Sequence, residues 1–88
     1  MARFDMSDMD CAIAGVGSNA DAMFELGLVY ATGRDGEIDI ISAHKWFNLA
    51  AYRGSEVAKL RREELAAEMS KDQILQAQRA AREWISTH

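Results

Sequence analysis

Proline is absent from all 88 residues, and with it the strongest helix breaker. Cysteine occurs once, at Cys11. A lone cysteine excludes an intramolecular disulfide, so the fold must rest on apolar burial, and it suits a reducing compartment. Positive charge is also short. Ten Lys and Arg against fourteen Asp and Glu leave a net charge of -4 at pH 7, which argues against nucleic acid as the main ligand because phosphates need an excess of basic residues. No run approaches the ~18 apolar residues that suggest a membrane span. The opening MARFDMSDMDCAIAGVGS lacks the apolar core of a signal peptide, and Asp5, Asp8 and Asp10 stand where one would be. A cytoplasmic, soluble chain is the expectation.

What is abundant are Ala, Leu, Glu, Arg, Met and Gln, all good helix formers. The length fits one domain. Residues 1–17 are the least regular: Phe4, Met6, Met9, Ile13 and Val16 outline one uneven apolar face that Gly15 and Gly17 interrupt. The reading is an N-terminal segment, either a short capping helix or partly ordered, ahead of a helical domain over 18–88.

Within that domain, Ser18 followed by Asp21 has N-cap spacing. Ala22, Met23, Leu26, Val29 and Tyr30 then recur at helical intervals. Gly27 inside this pattern costs about 1 kcal/mol against Ala, which predicts a neighbouring helix too close for a side chain. Gly33 closes the helix, and Gly36 lies in the turn that follows. Asp39 caps a second helix whose Ile40, Ala43, Trp46, Phe47, Ala50 and Ala51 share a broad face that ends at Gly54. Small residues alternating with large ones suit two closely packed antiparallel helices. A third helix is expected over about 55–68, with Val57, Ala58, Leu60, Leu65 and Ala66 apolar. A fourth is expected over about 71–86, opened by the capping box Ser70–Gln73 and seamed by Ile74, Ala77, Ala81, Trp84 and Ile85. The fold class is all-α: about four helices, arranged as antiparallel hairpins in series.

The set Ala20, Ala22, Leu26–Gly27, Tyr30, Gly33, Asp39, Ala43, Trp46–Phe47, Ala50–Ala51 and Gly54 resembles a Sel-one-like repeat, a relative of the tetratricopeptide repeat. Ser55 to Leu65 looks like the opening helix of a second repeat. The stretch AEMSKDQILQAQRAAREW then departs from the pattern and is similar to the terminal capping helix of small bacterial members. The resemblance implies an α/α superhelix whose concave side, lined by the first helix of each pair, binds proteins or peptides. It would place Asn19, Met23, Phe24 and the open side of the third helix near such a partner. Phe24 is expected to point away from the Leu26/Tyr30 seam, either exposed as a contact or packed against the N-terminal segment. Repeat proteins generally stack about three units to bury a continuous core, so apolar surface left over here favours a homodimer.

Chemistry-bearing residues are thinly spread. His44 has no second ligand one helical turn on, since residue 48 is Asn; packing is the first reading and a metal or catalytic role with nearby carboxylates the second. His88, at the end, is expected to fray. Asp35, Glu37 and Asp39 lack the alternating acids and later glutamate of a calcium loop, and a capped helix entry explains them better. Gly15-Val16-Gly17 has no strand before it and no Gly-Lys after it. Lys59, Arg61, Arg62, Arg79 and Arg82 are interleaved with Glu63, Glu64, Glu68 and Glu83, which predicts solvated, ion-paired faces. No cofactor is called for, and a small-molecule-binding or enzymatic domain using His44 and nearby carboxylates is the lesser reading beside a protein- or peptide-binding adaptor.

Overall fold

The structure, a computed structural model, describes residues 19–88. It is all-α over that range, with four helices: α1 (Ala20–Thr32), α2 (Ile40–Tyr52), α3 (Glu56–Ala66) and α4 (Lys71–Thr87). The expectations for residues 1–17, and for Ser18 as a cap, lie outside the described residues. The residue before α1 is Asn19, whose side chain makes no capping hydrogen bond.

Local chemistry sets the helix ends. Gly33 adopts φ 71°, a left-handed conformation costly for any residue with a Cβ, and its N–H donates to the Val29 carbonyl. Asp39 caps α2: its carboxylate accepts from the Ser42 N–H at 3.0 Å and from the Ser42 hydroxyl at 2.9 Å. The Asp39 N–H reaches back to the Tyr30 carbonyl at 2.9 Å, tying the turn to α1. Ser55 caps α3 through the Ala58 N–H at 3.1 Å. Ser70 and Gln73 form both halves of the expected box, at 3.1 and 2.9 Å. Caps of this kind stabilise by roughly 1 kcal/mol each.

α2 is the hub. α1, α3 and α4 each pack on it, and it buries Ala43, His44, Phe47, Leu49 and Ala50. α1 and α2 are an antiparallel hairpin, and Gly27 lies against Phe47. A Cβ built at Gly27 would sit 2.4 Å from two ring carbons of Phe47, so the glycine is what lets the ring in. Phe24 stacks obliquely on the same ring, with centroids 5.7 Å apart.

Two packing expectations are corrected. α3 and α4 follow one another across a short turn yet barely touch, so they are not a second packed hairpin. α4 instead lays Ala77, Ala81 and Trp84 toward α2, where Trp84 meets Trp46 edge-on at 5.8 Å. The buried stripe of α1 is also displaced. Ala20, Met23 and Gly27 are buried, whereas Ala22 and Leu26 are exposed, because the stripe is centred on the glycine that faces Phe47 and not on the leucine beside it. His88 does not splay outward: its ring stacks on Trp84 at 4.1 Å, with Nδ1 2.9 Å from the Trp84 carbonyl oxygen.

Candidate functional site

A groove of about 220 Å³ opens between the C-terminal half of α1 and the C-terminal half of α3 with the turn that follows it. Its apolar lining comes from Leu28 and Ala31 on α1, Phe47 on α2, and Leu65 on α3. Thr32, Arg61, Glu64 and Glu68 complete its wall. The hub explains the geometry. Because α1 and α3 both rest on α2 and not on each other, a trough remains over the Phe47 ring. The Thr32 hydroxyl already donates to the Leu28 carbonyl at 2.7 Å. Arg61 Nη1 approaches Glu64 Oε1 at 3.6 Å, a pair whose side chains are both more than half exposed.

The residues picked from sequence stand elsewhere. Asn19 is exposed at the mouth of α1. Met23 is 4% exposed and belongs to the core cluster, so it has no surface to offer a partner. Phe24 is half-buried against Phe47, which corrects the expectation of an exposed ring. None of the three lines the groove. The signal that would have placed Phe24 was Gly27. If Gly27 faces a neighbouring helix, positions three and four residues away on either side share that face, and these are Met23, Phe24, Tyr30 and Ala31.

His44 is 3% exposed, with no hydrogen-bond partner for Nδ1. Its pKa is lowered from the ordinary 6.5, first by removal from water and second by the Arg62 guanidinium, with a backbone interaction opposing them. Arg62 is itself anchored, donating from Nη1 to Asn48 Oδ1 at 2.8 Å and so tying α3 to α2. The charge acting on His44 is thus a cation and not a carboxylate. Among the described residues no three of His, Cys, Asp and Glu gather as metal ligands would, and no helix is long and apolar enough to cross a membrane. Compared with protein-family models, curated proteins and solved structures, the chain matches none.

Proposed function

We propose that this chain is a small helical-repeat adaptor of the Sel-one-like kind, taking a protein or peptide segment in the groove between α1 and α3. One observation carries the reading: an open trough floored by Leu28, Ala31 and Leu65, with the buried Phe47 ring beneath them, lies between α1 and α3. A side chain laid there removes apolar surface from water on both partners, the usual source of affinity for a segment lying in a groove. The hairpin supports the family part of the proposal, since Gly27, Gly33 and Asp39 each have a physical task at the position the repeat pattern assigns them. Self-association belongs to the same proposal. Val57 and Leu60, one turn apart on α3, are 46% and 59% exposed, and a second copy would cover them. The cytoplasm is the compartment proposed, in keeping with a single thiol.

A catalytic His44 finds less support. A general base has to be reachable by substrate and is usually oriented by an acid, whereas His44 is enclosed and beside Arg62. The test of the adaptor reading is to select peptides from a displayed library on the folded chain and measure them on Thr32→Trp. Thr32 is exposed on the groove wall, so the indole fills the trough without entering the core. Loss of binding for the selected peptides is expected; peptides that bind the variant as well as the parent would remove the groove from consideration.

A further inference from the structure

The groove's charge distribution says what kind of segment it takes. We infer that its occupant presents an apolar side chain next to a lysine or arginine; this rests on the groove reading above and specifies the partner's chemistry. The floor is carbon from Leu28, Ala31 and Leu65 over the buried Phe47 ring, and the proton of the one hydroxyl in the wall, that of Thr32, already goes to the Leu28 carbonyl. A polar neutral segment would leave this surface uncovered. A trough of about 220 Å³ accommodates roughly one or two aliphatic side chains.

The rim is acidic in balance. It holds Arg61, Glu64 and Glu68. Arg61 is engaged with Glu64, and Glu68 has no cationic partner among the described residues. The Arg61–Glu64 contact, at 3.6 Å between two side chains 53% and 71% exposed, is solvated and readily exchanged, so an arriving cation gains Glu68 outright and competes for Glu64. The chain's net charge of -4 adds a field that draws basic segments in and repels acidic ones. An apolar anchor sets the depth and a flanking cation sets the choice.

The test uses the full chain and two fluorescein-labelled helical peptides, alike except at the flanks. Each carries two leucines one helical turn apart; one has lysines beside them and the other has glutamates. By fluorescence anisotropy at low salt the lysine peptide is expected to bind tighter by roughly fivefold or more, given the modest worth of exposed ion pairs. The gap narrows at higher salt and shrinks or reverses on Glu68→Lys. Both substituted positions, Thr32 and Glu68, are exposed, so circular dichroism should show the parent's helix content. Equal affinity of the two peptides, both lost on Thr32→Trp, would overturn the charge inference and leave the groove reading intact. Binding of neither peptide, or binding that Thr32→Trp leaves unchanged, would overturn both. A dimer that Thr32→Trp dissociates in light scattering would also overturn the inference, since the occupant would then be a second copy.

Discussion

α2 and α3 are neighbours of nearly equal length, 13 and 11 residues, yet they use their surfaces in opposite ways. α2 carries a single formal charge, on Lys45, and has helices packed on three sides. α3 carries Glu56, Lys59, Arg61, Arg62, Glu63 and Glu64 and buries only Ala58. The same polymer element is an organising post in one case and a rim in the other. The lesson is about where stability and recognition reside. Energy from excluded water is concentrated along α2, and the surface proposed for a partner lies on α3 and the α1 wall opposite it.

That contrast can be broken or sharpened by mutation. The largest effect is expected at Phe47, 2% exposed and in contact with Phe24 and Gly27. Phe47→Ala should lower unfolding free energy in urea by about 3–5 kcal/mol; a loss below about 1 kcal/mol, the scale of surface changes, would mean that α2 is not the hub. Gly27→Ala comes next. It gains about 1 kcal/mol of helix propensity but drives a methyl into the Phe47 ring, so a net loss of roughly 1–3 kcal/mol is expected. Adding Phe47→Leu to that variant should cost less than Phe47→Leu does alone, because the smaller side chain relieves the clash. If the two losses simply add, the close approach is not the reason for the glycine.

The His44 prediction is one of direction. The folded state holds His44 below its ordinary 6.5, so over that range the unfolded chain binds more protons than the folded one. Stability is therefore complete above the unfolded value and falls as pH drops below about 6.5, levelling off once the folded-state value is passed. His44→Leu should remove this component of the acid slope while leaving stability near neutral pH equal or higher, because the orphaned Nδ1 goes with it. An unchanged slope would locate the acid sensitivity elsewhere. The smallest effect is expected on α3. Leu60→Ser, at 59% exposure, should stay within about 0.5 kcal/mol of the parent in stability, and light scattering on the same variant reports whether Leu60 holds a dimer together.

What the sequence made legible was chemistry that closes over a few residues. Asp39, the Ser70–Gln73 box and Gly33 act on backbone groups within one turn, so their spacing alone locates those helix ends, whereas the Ser55 cap of α3 was not read. The close approach at Gly27 was legible too, since a glycine inside a helix needs a neighbour to explain it. What escaped depends on which helix lies against which. Leu49, 1% exposed, does not belong to the face defined by Trp46, Phe47 and Ala50, and is buried because α2 has partners on more than one side. Phe24 looked free because the seam was drawn through Leu26, one position from the residue that faces Phe47. The candidate contacts Asn19, Met23 and Phe24 lie toward the N-terminal end of α1, away from the residues that line the groove. The groove needs the α3 wall, and nothing in the spacing within α1 reports where α3 will lie.

Trp46 and Trp84 are the chain's two tryptophans, and they meet each other where α4 packs on α2. Intrinsic fluorescence is therefore a local gauge, reading the docking of α4 on α2. Far-ultraviolet dichroism averages over every helix. Where the two signals melt together, the molecule unfolds as one cooperative unit. Where fluorescence moves first, α4 has lifted away while the α1–α2 hairpin still stands, and the chain behaves as a clasp on a hinge.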